Sequence, residues 1–149
     1  MKEGVFRNMR IRRARKNDSA RIAELSTQLG YPATGQEIVQ RMERMRPTAL
    51  HAVFVAESEK LVTGWLHVSV TPLLEVPLRA EVNGLVVDEK RRSAGTGAKL
   101  LHAAERWAAE KGCKSMSVRS NVIRARAHQF YLRNGYEHYK TQKAFRKLL

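Results

Sequence analysis

The stretch from Arg79 to Gly112 constrains this chain more than any other. "RAEVNGLVVD" is an apolar run of strand type. The loop "EKRRSAGTG" follows, and then Leu100, Leu101, Ala104, Trp107 and Ala108 recur at helical spacing until Gly112 stops them. A strand that feeds a helix through a glycine-rich loop implies a layered α/β fold with a helix N-terminus at the sheet's end. Unpaired amides, the helix dipole and the neighbouring Arg91 and Arg92 all favour an anion there. A dinucleotide fingerprint needs a third glycine where Leu100 stands, and a P-loop needs a Gly-Lys-Ser/Thr ending, whereas Lys99 follows Ala98 and precedes Leu100. The Arg-x-x-Gly-x-Gly turn from Arg92 to Gly97, whose amides wrap a pyrophosphate, fits at every position. The plainer reading is a glycine-rich connection with solvated arginines.

The rest of the chain alternates without repeats or a dividing linker. Residues 9–14 read as a strand, and Asp18 is expected to cap a helix bearing Ile22, Leu25 and Leu29, which stops at "GYP". Thr34 opens a second helix with Ile38, Met42 and Met45. "HAVFVAES" and "LVTGWLHVSV" form a hairpin turning near Glu59 and Lys60. After the glycine-rich helix, "KSMSVRS" is a strand, "RARAHQFYLRN" a helix ended by Gly135, and "YEHYKTQKAFRKLL" two short closing strands.

At 149 residues and 43% hydrophobic the chain suits one domain, residues 9–149, preceded by an extension over 1–8. No run reaches the length of a membrane span, and the basic start lacks the apolar middle of a secretory signal. "MRIRRA" alternates as a first strand does, which favours a strand over a transit peptide. One cysteine, Cys113, excludes an intrachain disulfide and a cysteine-based zinc site. These features point to a cytoplasmic protein. No His, Asp and Glu grouping has metal-ligand spacing, so no metal is expected. The net charge of +14, concentrated at the two ends, attracts phosphates, nucleic acid or anionic substrates. No aromatic-interleaved RNA motif or recognition helix accompanies it.

"EVNGLVVDEKRR", "RSAGTG", the early "LL" and the later "AHQFYLRNGYE" resemble, in order and spacing, the signature of the GCN5-related N-acetyltransferases (GNAT). "LGYPATGQEIVQRM" and the hairpin resemble the amine-binding half of that family, so the likeness extends over nearly the whole chain beyond residue 8. It looks most like small bacterial members acting on small-molecule amines, of aminoalkylphosphonate and aminoglycoside type. The resemblance implies a single-domain α/β fold: a mixed, mostly antiparallel sheet of about six or seven strands, splayed between two parallel central strands and flanked by four helices. It also implies acetyl-CoA as cosubstrate, its pyrophosphate held by Arg92, Ser93, Ala94, Gly95, Thr96, Gly97 and Ala98. Gly84 interrupts its strand and signals a bulge or a close approach. In the family a bulge there lets Leu85, Val86 and Val87 pair with the pantetheine arm.

An alkylamine with a pKa near ~10.4 is neutral to about one part in a thousand at pH 7, so transfer to it needs a base. Glu81 stands at the offset from the glycine turn where several family members carry a catalytic glutamate, and apolar neighbours would enclose it and raise its pKa. Asn83 is expected to position a water beside it. Tyr131 matches the family's tyrosine near the sulfur and suits a general acid. Asn121 and Ala127 fall where the family has cofactor contacts, although Arg124 occupies the place where Asn-x-x-Ala spacing expects alanine. His67 and His128 are alternative bases. Tyr31, Trp65, His67 and Glu75 are candidates to line the acceptor site. The expected partner is a small-molecule amine, with a homodimer through the C-terminal strands. The alternatives are a protein lysine or N-terminal acetyltransferase and a non-catalytic nucleic-acid module on the same scaffold.

Overall fold

The computed structural model describes residues 9–92, 94–120 and 122–149. The chain divides into two units, Met1–Arg119 and Ser120–Leu149.

The first unit holds a five-stranded sheet in the order β1-β2-β3-β4-β5: β1 Arg10–Arg13, β2 His51–Ser58, β3 Leu61–Val70, β4 Arg79–Val87 and β5 Ser115–Val118. All neighbours are antiparallel except the parallel β4–β5 pair. Three helices accompany it, α1 Ser19–Leu29, α2 Gly35–Met45 and α3 Thr96–Glu110.

Local chemistry explains the boundaries. Thr34 Oγ1 accepts from the Glu37 amide at 3.1 Å and Glu37 Oε1 accepts from the Thr34 amide at 3.0 Å, a reciprocal cap that starts α2. Gly30, with φ of 97°, ends α1. Glu59 and Lys60 both take positive φ, which gives the β2–β3 turn the twist that a tight hairpin needs. The expected side-chain cap by Asp18 is absent. Its carboxylate instead accepts from the Arg15 amide at 2.7 Å and from Arg12 Nη1 and Nη2 at 2.9 and 3.0 Å, because a bidentate guanidinium outcompetes a single helix amide.

The two faces of the sheet are covered differently. Leu66, Val68, Val70, Ala80 and Val82 are buried on one face, where α3 lies with Leu100, Leu101, Ala104, Trp107 and Ala108. On the other, Ile22, Ala23 and Leu25 of α1 and Ile38 of α2 pack with Val55 and Val86, and Trp65 joins their edge.

Two bulges set the register. One lies between Ala56 and Glu57 of β2 against β3. The other brings Gly84 opposite His67 and Val82 opposite Val68, leaving Asn83 as the extra residue. Gly84 also answers the second expectation, since a Cβ there would lie 2.8 Å from the Trp65 ring.

In the second unit, α4 runs from Ala125 to Arg133, and Gly135, with φ of 89°, follows its end. The closing strands expected over residues 136–149 do not form, so the sheet has five strands rather than six or seven. Alternation supplies strand propensity, but a strand also needs a partner edge, and here Tyr139, Phe145, Leu148 and Leu149 are exposed.

Candidate active site

The site grows from the bulge in β4. Paired residues in neighbouring strands point to one face, and the extra Asn83 lets Glu81 share its face with Gly84 and Val86 on the far side of the bulge. That face is the one α1 and α2 cover, and the apolar cluster they form takes in Val55, Val62, Trp65 and Val86 of the sheet. Beyond them the side chains turn polar: His51, His67, Ser69, Glu81 and Asn83.

These residues are coupled in pairs. Asn83 Nδ2 donates to Ser69 Oγ at 2.7 Å. His51 Nδ1 and His67 Nε2 lie 2.9 Å apart with the rings stacked at 5.2 Å, so one nitrogen of the pair donates and the other accepts. Burial, and then the charge of His51, push His67 down to about 4, so it is neutral at physiological pH. Glu81, opposite Ser69 in β3 and Ser117 in β5, lies 3.1 Å through Oε1 from Arg119 Nε. The Glu81 side chain is 23% exposed and that of Arg119 79%. Sequence reasoning found Glu81, Asn83 and His67 but missed His51, Ser69 and Arg119.

The other candidates fall in three groups. The β4–β5 ladder ends at Val82 and Val118, so past that point β4 pairs with β3 alone, and the edge of Leu85, Val86 and Val87 carries no further ladder among the described residues. Asp88 anchors the loop that follows. It accepts from Arg21 Nη2 at 2.7 Å and from the Lys90 amide at 3.2 Å, while Arg91 N–H donates to its carbonyl at 2.8 Å. Arg92 is exposed, Ser93 lies outside the described residues, and Ala94 leads to Gly95, the residue before α3. Gly95 has φ of 77°, and a Cβ there would meet nothing within 4 Å. Thr96, Gly97 and Ala98 form the first turn of α3, where helix geometry leaves amides without intrahelical acceptors.

Trp65 packs against the apolar cluster and over Gly84, yet its buried Nε1 has no hydrogen-bond partner among the described residues. Tyr31 is 68% exposed just after α1, and Glu75 is exposed in the β3–β4 connection. Neither has a side-chain hydrogen bond to the polar face among the described residues.

In the second unit Ala127 precedes Tyr131 by one helical turn. The Tyr131 ring meets Phe130 and Tyr136 edge to face, and burial pushes its phenol up to about 12 against a smaller opposing pull from Arg124. It is therefore a proton-bearing donor at neutral pH. Asn121 lies outside the described residues. Cys113 sits at the α3–β5 turn, where burial raises its thiol, a shift away from the thiolate form that reacts. No described helix is long and apolar enough to cross a membrane.

The open β4 edge, the glycine with free space before it and the exposed amides of α3 together fit an extended ligand ending in a phosphate group. Comparison with known proteins agrees. The chain is 38% identical over 66 residues to the aminoalkylphosphonate N-acetyltransferase of Salmonella typhimurium, a match spanning 43% of each chain. Its fold is similar to that of the aminoglycoside N-acetyltransferase AAC(6')-Iy, solved in complex with CoA, with a TM-score of 0.84 at 20% identity over 93% of this chain and 94% of that one. It is also similar to glucosamine-6-phosphate N-acetyltransferase from Arabidopsis thaliana, with a TM-score of 0.81 at 20% identity over 93% and 97% of the two chains. The model of the acetyltransferase (GNAT) domain matches residues 49–138, which is more than half of the chain and spans the polar face, the open edge and the glycine turn. The chain belongs to the GNAT acetyltransferase family.

Proposed function

We propose that this protein transfers the acetyl group of acetyl-CoA to the primary amine of a small molecule. The observation that carries the reading is the bulge at Asn83, which puts a carboxylate on the polar face of the strand whose next residues present an unpaired edge. Leu85, Val86 and Val87 would hold the pantetheine arm by backbone bonds. The amides from Ala94 to Ala98, with Arg92 and Ser93, would hold the pyrophosphate, and Asn121 and Ala127 are the remaining candidate cofactor contacts. When bound, acetyl-CoA supplies a thioester whose carbonyl carbon accepts the amine nitrogen and whose sulfur leaves.

Glu81 takes the proton that the ammonium must lose before nitrogen can attack, directly or through a water held by Asn83. Arg119 balances the charge of that carboxylate while the site is empty of amine. Tyr131 Oη keeps its proton at neutral pH and gives it to the departing sulfur. In this reading the acceptor binds on the polar face beside His67, with Trp65, Tyr31 and Glu75 as the further candidates to line its site. The same family match disfavours a nucleic-acid module, and the alternative of a protein lysine or N-terminal acetyltransferase differs only in acceptor. The exposed apolar residues of the tail, Phe145 and Leu148 among them, support a homodimer through that segment. Light scattering that gives only the 17.0 kDa monomer at high concentration would end that part of the reading.

The test is thiol release from acetyl-CoA across small amines and basic peptides. Turnover with small amines and none with peptides is expected; turnover on peptides alone would make the acceptor a protein. Gly95→Asp places a carboxylate in front of the α3 amides and should nearly abolish calorimetric CoA binding. Binding equal to wild type would remove the glycine turn from the site.

A further inference from the structure

The Glu81–Arg119 pair is an unusual feature of a face that otherwise pairs neutral polar groups. Along the row from His51 through Ser69 and Glu81 to Ser117, Glu81 is the only acid, and the guanidinium beside it belongs to a side chain that is mostly in solvent. An ion pair whose guanidinium stays mostly in solvent adds little to stability. Arg119 engages Glu81 through Nε. Its two Nη groups, the fork that suits a carboxylate or phosphonate, have no partner among the described residues. The site therefore presents a negative and a positive group side by side.

We propose that Arg119 recognises an anionic group on the acceptor, and that the preferred acceptor is a compact zwitterion: a primary amine joined through a short carbon chain to a carboxylate, phosphonate or phosphate. This rests on the proposed acetyl transfer with Glu81 as base. The adjacency sets the size. With the ammonium against Glu81 and the anion against Arg119, four charges alternate around a ring, and each ligand charge faces its opposite only if the two are close together. A long diamine puts a second positive charge against Arg119 and is repelled. The net charge of +14 acts in the same direction, drawing in ligands that carry an anion and repelling polycations. Asn83 and the His51–His67 pair, neutral at His67, border the row without adding a second acid that would invert the preference.

The experiment compares 2-aminoethylphosphonate and β-alanine with propylamine, a neutral-tailed amine of similar length, in wild type, Arg119→Ala and Arg119→Lys. Wild type should favour the zwitterions by at least about tenfold in kcat/KM, a difference expected for a charge-assisted bidentate contact. Arg119→Ala should remove that preference through KM, lowering kcat/KM for the two zwitterions well beyond any change it makes for propylamine through Glu81, with Arg119→Lys in between. Calorimetric titration of 2-aminoethylphosphonate into the CoA-loaded protein, where no acetyl group can transfer, should show the same loss. Equal losses for all three amines would mean that Arg119 acts only through Glu81, and no wild-type preference would remove the zwitterion; either result overturns the proposal. No transfer to any amine together with intact binding of the zwitterion would instead refute the proposed reaction and leave the recognition standing.

Discussion

The two faces of one sheet have opposite jobs. Against α3, Leu66, Val68, Ala80 and Leu100 are fully buried, and the face is apolar from β2 to β4. Against α1 and α2 only half the face is covered, and where the helices stop the strands carry His51, His67, Ser69, Glu81 and Asn83. The first face holds the sheet together and leaves nothing to react. The second gives up apolar contact and gains groups that donate, accept and carry charge. The difference shows that the site is placed by the reach of the helices as much as by the strands themselves.

The largest effect should come from the packed face. Leu100→Ala removes a side chain with no exposed surface and should cost about 2–5 kcal/mol of unfolding free energy in urea titration. Asn83→Ala on the polar face should cost about 1 kcal/mol and lower the rate instead. Equal stability losses would erase the contrast between the faces. Gly84→Ala tests the boundary between the covered and polar halves. Its Cβ would press on the Trp65 ring at 2.8 Å, so a loss of about 1–3 kcal/mol is expected, with loss of activity as the bulge shifts.

The polar face also predicts a pH slope. Burial and His51 hold His67 near 4, below the ordinary 6.5. As pH falls below 6.5 the unfolded chain gains a proton that the folded protein refuses until about pH 4, so stability present at neutral pH is lost through that window. The slope should reach at most about 1.4 kcal/mol per pH unit. His67→Gln should flatten it, as followed by thermal unfolding from pH 7 to pH 4. An unchanged slope would show that the polar face does not keep His67 neutral.

Much of this could be read from the residues. The Thr34 cap, the Glu59–Lys60 turn, the apolar stripe from Leu100 to Ala108 and the irregularity at Gly84 all depend on neighbours in sequence. The missed features depend on register. Counting back from the hairpin turn sets His51 against Val68, on the packed face; the bulge at Ala56 slips the pairing by one and sets it against Ser69. That slip creates the histidine pair. Arg119 meets Glu81 only because β5 runs parallel to β4, and Asp18 serves Arg12 rather than its own helix because β1 passes close to it. The tail alternates like a strand, but propensity does not provide an edge to pair with.

The central claim is that Glu81, brought by the bulge onto the polar face, takes the proton of the amine. Glu81→Gln keeps the shape and removes the base, and the pH dependence of its rate tests the claim most directly. The rate should fall by roughly 10- to 1000-fold near neutrality and recover as pH approaches the pKa of the amine itself, where solvent supplies free amine. A loss of the same size at every pH, or no loss at all, would contradict it.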